Sequence, residues 1–439
     1  MKLGGLAAAV AVLAVLGGLV FWSQRAKKAE ESKPADASLK LLSVPEDQFR
    51  EIRVAKTGAE TMVVEKSEGG KWQITAPGPL AADQDSVGSL VSTLSSLSSD
   101  RLIEDKATNL ADYGLASPAL EVTLTRKDGK TERLLLGEDT PTGGSTFAKL
   151  ANDPRVFAVA THVKSSLDKT AQDLRDKRLL TFDPDKLTRV ELEAKGDKLE
   201  FGKNAQNEWQ ILKPRPLRAD SSQVEDLVRK LRDAKMESAP GDEAKAGPGF
   251  AAGARVAIAR VTDASGTQQI EVRRDKEKNY YAGSSVVAGA HKISSYVGEG
   301  LDKGLDDLRN KKLFDFGWSD PSKVEVRKGA SATVYQKSGE NWAASGKQMD
   351  PASVQALIDK LRDLQSLQFL ETAGGAPLFE IAVTSNNDKR VEKVMVSKAG
   401  DRYSARRENE PAIYQIDGKA VEELEKAIGD VKPAEPAKK

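Results

Sequence analysis

Cysteine is absent from this chain of 439 residues, which excludes disulfides, thiolate metal sites, thiol catalysis and a lipid-modified amino-terminal cysteine. The compartment stays open, because a chain without thiols is indifferent to redox conditions. An excess of either charge is missing too: 67 Lys+Arg face 66 Asp+Glu. That removes the basic footprint of a nucleic-acid binder, and the charges are interspersed as on solvated faces. Histidine is scarce. His162 and His291 have no His-x-Glu or His-x-x-x-His companion, so packing or surface roles outweigh catalysis. The chain carries no Gly-x-x-x-x-Gly-Lys phosphate loop, His-Glu-x-x-His zinc motif or Gly-x-Ser-x-Gly elbow. Ser166-Leu-Asp-Lys169 has the Ser-x-x-Lys spacing, but no companion motif follows it. On these grounds no catalytic residue, cofactor or metal ligand is assigned, and the reading is of a protein that is not an enzyme.

Long apolar runs are rare, and the one at the start matters. Leu3 to Trp22 is an apolar run of 20 residues, about the length of a membrane-crossing helix. Phe21 and Trp22 close it, as aromatics do at the lipid–water boundary. No small-x-small cleavage site precedes Arg25, Lys27 and Lys28, which favours an uncleaved signal anchor over a cleaved signal peptide. Counting those three cations against Lys2 would keep the body in the cytoplasm. A very short leader before a large body is instead the layout of an exported protein, and long domains translocate despite nearby charge. The expectation is a single-pass protein of the inner membrane with an extracytoplasmic body. Residues 23–43 read as a solvated linker and 431–439 as a disordered tail.

Between these ends the chain says nearly the same thing three times. Trp72-Gln-Ile74, Trp209-Gln-Ile211 and Trp342-Ala-Ala344 lie 137 and 133 residues apart. Each precedes an aspartate that opens an amphipathic helix: Asp83, Asp220 and Asp350. The apolar stripe repeats as Val87, Leu90, Val91, Leu94, then Val224, Leu227, Val228, Leu231, then Val354, Leu357, Ile358, Leu361. Self-similarity at a fixed period is a statement about architecture first. The aspartates read as N-caps, accepting bonds from the first helical N–H groups and favouring the positive end of the dipole. The tryptophans sit on strands beside apolar partners and read as core anchors rather than sugar platforms. Alternating segments such as Phe49-Arg-Glu-Ile-Arg-Val54 read as strands with one wet face, and Asp128-Gly129 as a hairpin turn. An Ala/Gly/Pro-containing crossing is expected after each helix. The fold class is α+β: three tandem, related modules with mainly antiparallel sheets, over 44–183, 184–318 and 319–430. Leu174-Arg-Asp-Lys177 returns as Leu308-Arg-Asn-Lys311, 134 residues later, and reads as a polar, water-facing helix end. No place for it is expected in the third module.

Asp112-Tyr113-Gly114-Leu115-Ala-Ser-Pro118, then a strand, Asp128-Gly129 and Leu134-Leu-Leu-Gly137, resembles the domain-of-unknown-function family DUF4340. Trp72, Pro77, Ala82-Asp83 and Leu174-Arg-Asp-Lys-Arg-Leu179 belong to the same pattern. The resemblance is close in the first module and partial in the other two, which lack Tyr-Gly-Leu. It implies a bacterial, usually membrane-anchored protein, often encoded beside multi-spanning permeases of ABC-type export or gliding-type systems. It supplies no catalytic residue. The leading reading is therefore a membrane-anchored, envelope-facing accessory or scaffold protein with a membrane-protein partner. A cell-wall or polysaccharide binding module using Trp72, Trp209 and Trp342 or neighbouring Tyr residues is the alternative, and a carboxylate-dependent hydrolase the remote one.

Overall fold

The computed structural model describes residues 39–237, 242–319, 321–372 and 374–435. Among them no helix is long and apolar enough to cross a membrane. The run Leu3–Trp22 lies outside the described residues, and the anchor expectation with it. The chain divides into two compact units, Met1–Lys177 and Arg178–Lys439.

In the first unit the alternating segment forms strand β1 (Phe49–Lys56), with Ile52 and Val54 buried and Arg50 and Arg53 exposed. Strands β2 (Met62–Lys66), β3 (Trp72–Ala76) and β4 (Leu80–Ala81) continue it as a meander. Helix α1 (Gln84–Ser95) leads to edge strand β5 (Arg101–Glu104). A second meander follows: β6 (Leu120–Arg126), β7 (Thr131–Asp139), β8 (Ser145–Leu150) and β9 (Val156–Ala160). Pairing of β1 with β6 fuses the two into one antiparallel sheet, ordered β4-β3-β2-β1-β6-β7-β8-β9-β5. Asp128-Gly129 turns the β6–β7 hairpin, with Gly129 at φ +82°, where a glycine is needed. Short helices α2 (Thr161–Leu167) and α3 (Ala171–Leu174) close the module.

The second unit holds two further sheets, one of nine strands in the same order and one of eight that lacks the final edge strand. One is built from β10 (Arg189–Ala194), β11 (Asp197–Lys203), β12 (Trp209–Lys213), β13 (Leu217–Arg218), β14 (Ala254–Asp263), β15 (Gly266–Arg274), β16 (Tyr280–Ser284) and β17 (Ala290–Ile293). Its capped helix is α4 (Ser221–Arg232). The crossing expected after it is instead helix α5 (Asp242–Ala252), packed on β16 and β17 where the first sheet has β5. Small residues explain the fit: a Cβ on Gly249 would lie 2.4 Å from the Tyr281 ring. Helices α6 (Ser295–Leu301) and α7 (Leu305–Leu308) end this module. The last sheet runs from β18 (Lys323–Lys328), β19 (Ser331–Ser338), β20 (Asn341–Ala344) and β21 (Lys347–Gln348) through helix α8 (Pro351–Asp363). It continues through edge strand β22 (Ser366–Leu370), β23 (Ala376–Ser385), β24 (Arg390–Ala399), β25 (Arg402–Arg407) and β26 (Ile413–Ile416), and α9 (Gly418–Asp430) closes it. Three separate cores result, each made by one capped-helix stripe against one sheet face.

Module boundaries fall earlier than 44, 184 and 319. Leu41, Leu42 and Val44 belong to the first core, Leu179, Leu180 and Phe182 to the second, and Leu313, Phe314 and Phe316 to the third. Each lead-in pairs with the residues just past its own capped helix: Leu41 N donates to Leu97 O (2.8 Å), Leu179 N to Ala234 O (2.9 Å) and Leu313 N to Leu364 O (3.0 Å). Leu41 and Leu42, within the segment 23–43 read as linker, thus belong to the first module.

The Leu-Arg-Asp-Lys signature does begin at a helix end, since Leu174 and Leu308 close α3 and α7, but it does not simply face water. It is a strap along the short fourth strand. Asp83 N donates to Leu174 O (2.8 Å) and Asp176 N to Ala81 O (2.8 Å); Asp220 N donates to Leu308 O (2.9 Å) and Asn310 N to Arg218 O (3.0 Å). Leu174 and Leu308 are buried in the first and second cores. The third module has a strap as well, within the segment expected to be disordered: Asp350 N donates to Lys432 O (2.8 Å) and Ala434 N to Gln348 O (2.9 Å). Residues 436–439 lie outside the described residues.

Candidate functional site

The residues singled out by the sequence occupy three kinds of position. Asp83, Asp220 and Asp350 are N-caps, their carboxylates accepting from Ser86 N (2.8 Å), Gln223 N (3.1 Å) and Ser353 N (3.0 Å). Replacing Asp220 by alanine is expected to lower stability by about 1 kcal/mol. A thermal midpoint unchanged by that substitution, with function abolished, would make Asp220 an active carboxylate instead of a cap.

Trp72, Trp209 and Trp342 are only 7%, 5% and 3% exposed. In each, a lysine on the neighbouring strand lies over the ring: Lys66 at 5.4 Å, Lys203 at 5.1 Å and Lys337 at 5.9 Å from the centroid. Rings covered in this way offer no stacking face, which removes the tryptophans as sugar platforms. Among the described residues the exposed tryptophan is Trp318, at 91%. It has no counterpart in the other lead-ins and drew no notice in the sequence for that reason.

Tyr113, Gly114, Leu115 and Pro118 form a plug on the first sheet. A single 3-10 turn, Leu110–Tyr113, ends at Gly114 with φ +64°. The Tyr113 hydroxyl donates to Glu104 Oε2 (2.7 Å), and its ring meets Phe147 edge-on at 5.0 Å. The hydrogen bond to Glu104 raises the phenol above its ordinary value, and burial adds to that. Leu115 is buried, and Pro118 O accepts from Thr57 Oγ1 (3.0 Å). The plug lies against Gly137 of the Leu134-Leu-Leu-Gly137 strand, where a Cβ would sit 2.1 Å from Tyr113 O. The spacing of the motif follows: the glycine of the strand admits the carbonyl of the turn.

Charge concentrates elsewhere, on a seam in the second unit where the strap of the second module meets the third. Arg407 donates from Nε to Glu410 Oε1 (2.7 Å), from Nη2 to Glu392 Oε1 (3.0 Å) and from Nη1 to Leu313 O. Glu392, 3% exposed, also accepts from Asp315 N (2.9 Å). Arg218 of β13 reaches across. Its Nη2 donates to Lys312 O (2.6 Å) and Tyr414 Oη (3.2 Å), and its Nε lies 2.9 Å from Glu410 Oε1. Nε and Nη1 are buried without an aligned acceptor, so the Arg218–Glu410 contact is an ion pair rather than a hydrogen bond. The Tyr414 hydroxyl donates to Glu410 Oε2 (2.7 Å). Arg309 of the strap is buried, its guanidinium 3.3 Å from the Phe369 ring centroid. Burial pulls its pKa below the ordinary arginine value. Burial pushes Glu410 up, but Arg218, Arg407 and the Tyr414 hydroxyl together outweigh it and hold the carboxyl below its ordinary value. Beside the seam, Lys312 and Arg390 face Glu208, Asp220 and Asp315 around a cavity of about 290 Å³. Arg390 donates to Glu208 Oε1 (3.0 Å). The chemistry of the seam is mutual neutralisation between modules.

The sequence family described as Domain of unknown function (DUF4340) matches residues 72–248 and again residues 209–378. The chain belongs to this family. Both matches begin on the tryptophan that opens the third strand, Trp72 and Trp209, and both run through the capped helix of the following module. The DUF4340 unit is therefore offset from the structural module. It contains the strap and lead-in that join one module to the next, together with the plug where that is present. No curated protein and no solved structure matches the chain.

The remaining candidates stay apart. His162 is exposed, and His291 Nε2 lies 3.0 Å from Ala288 O. Asp168, inside Ser166-Leu-Asp-Lys169, pairs with Lys56 at 2.7 Å. Among the described residues no group of three or more His, Asp or Glu is placed to hold a metal ion.

Proposed function

We propose that this DUF4340 protein is a membrane-anchored, extracytoplasmic scaffold that presents its tandem modules to a membrane-protein partner, a multi-spanning permease of the ABC export or gliding type. The observation that carries the reading is the use made of the repeated residues. The tryptophans, capping aspartates, lead-in leucines and straps all serve folding and junctions, so the period builds extended surface rather than a repeated reaction centre. The outer faces of the sheets fit this use. They carry cross-strand ion pairs, Arg133–Glu121 (2.9 Å), Arg260–Glu193 (3.0 Å) and Lys393–Glu380 (3.4 Å), suited to polar contact rather than to an apolar cover. An anchor at Leu3–Trp22 would hold that surface near the bilayer and raise its effective concentration toward other membrane proteins. The permease enters through the family resemblance, which is association rather than mechanism.

Purification in mild detergent tests the partner, with the full chain compared against one lacking residues 1–22. Recovery of a permease with the anchored form alone is expected. Stoichiometric catalytic turnover by the soluble body would overturn the proposal. Protease shaving of spheroplasts tests the side of the membrane: the body should be digested while cytoplasmic controls survive, and full protection would place it inside.

A further inference from the structure

The three straps are not equal. In the first two modules a leucine, Leu174 or Leu308, enters the core at the position whose carbonyl receives the capping aspartate N–H. In the third that position is Lys432, which is exposed. The next position, Arg175 or Arg309 in the first two straps, is Pro433, paired with Met349 as the arginines are with Ala82 and Ala219. Proline is tolerated there because both ladder bonds come from its neighbours and its own nitrogen points outward. The last strap thus keeps the two backbone bonds, adds Lys432 N to Ser353 Oγ (3.3 Å), and lacks the buried side chain. Val431, just before it, is only partly buried against the third core.

We infer that the Lys347–Asp350 edge of the third module is a strand-addition site, occupied in this structure by a weak internal substitute. Its ligand is an extended segment of a partner protein, with a leucine at the Lys432 position followed by polar or basic residues. Two of the three equivalent edges already bind such a segment, in cis, as Leu-Arg-Asp-Lys and Leu-Arg-Asn-Lys. Main-chain bonds supply affinity in this mode and an alternate side chain supplies selectivity. The proline on the outer side prevents the strap from templating a further strand when no partner is present. The inference is independent of the anchor and of the permease.

The test uses a labelled peptide with the sequence of residues 173–178, Asp-Leu-Arg-Asp-Lys-Arg, titrated into the full chain and two variants by fluorescence anisotropy. Ala434→Pro removes the N–H given to Gln348 O and should tighten peptide binding by about tenfold, the loss of roughly one net hydrogen bond. Lys432→Leu supplies the missing anchor in cis and should weaken peptide binding by about tenfold. A peptide with serine for leucine should fail to compete. Equal affinity for all three proteins places the peptide elsewhere and overturns the inference, as does binding to none. If Ala434→Pro unfolds, the wild type and Lys432→Leu decide between the same outcomes.

Discussion

Arg407→Ala is expected to destabilise the second unit by about 3 kcal/mol, the cost of taking the hydrogen-bonded partner from a buried charge that keeps only a longer ion pair to Arg390 (3.6 Å). Glu392 would keep the Asp315 N–H and the Arg390 ion pair and lose its hydrogen-bonded guanidinium, inside a site that water hardly reaches. Leu313 O, in the third lead-in, would lose its Nη1 donor as well. Urea unfolding at neutral pH measures the change through the midpoint at constant slope. Glu392→Leu combined with Arg407→Met should recover only part of the loss, since the pair itself is replaced by apolar groups while Glu410, Leu313 O and Asp315 N still lose a partner. A single-variant loss below about 1 kcal/mol would mean that solvent screens the seam like an ordinary surface pair.

The same seam sets a pH dependence. The Glu410 carboxyl is held below its ordinary value in the folded chain, so its contribution is fully present above the unfolded value. It is lost as pH falls through the folded value. Acid therefore weakens the seam, beginning near the ordinary glutamate range and growing below it. Glu410→Gln should show a shallower stability loss than the wild type over that window. An unchanged acid slope would assign the acid sensitivity to other carboxylates.

Patterns that are local in sequence carried the fold, and contacts distant in sequence escaped. The apolar stripes of α1, α4 and α8, their aspartate caps and the Asp128-Gly129 hairpin follow from periodicity and capping chemistry within a dozen residues. The straps did not, because Leu174-Arg-Asp-Lys177 satisfies its backbone on a strand more than ninety residues earlier, and its polar letters read as a wet helix end. The lead-ins left a signal that went unused: Leu41-Leu-Ser-Val44, Leu179-Leu-Thr-Phe182 and Leu313-Phe-Asp-Phe316 repeat at 138 and 134 residues. The seam was beyond single-copy reasoning. Arg218, Glu392 and Arg407 look like ordinary surface charges in strands and Glu410 like one in a turn, and only the tertiary fold buries them together. Helix α5 escaped for another reason, since its Gly-Pro-Gly run opposes helix by propensity and close packing on Tyr281 overrides it.

Gly137→Ala is expected to cost about 3 kcal/mol in the first unit, at the upper end of the range for overpacking. The added methyl would lie 2.1 Å from Tyr113 O, 3.1 Å from Gly114 C and 3.2 Å from Leu115 Cδ2. The nearest neighbour is a backbone carbonyl, not the tip of a flexible side chain, so the whole turn must lift from β7. Lifting it strains the Tyr113–Glu104 bond, the Phe147 contact and the burial of Leu115 together. Gly129→Ala is the control. That glycine has φ +82° with open space around it, and its replacement should cost only about 1 kcal/mol of backbone strain. Hydrogen exchange should show the difference in kind: residues 110–116 lose protection in Gly137→Ala and keep it in Gly129→Ala. The second unit lacks Tyr-Gly-Leu and should be unaffected in its own exchange. Equal, small costs for the two glycines would mean that the plug floats on the sheet, and that the spacing of the family motif has some other cause.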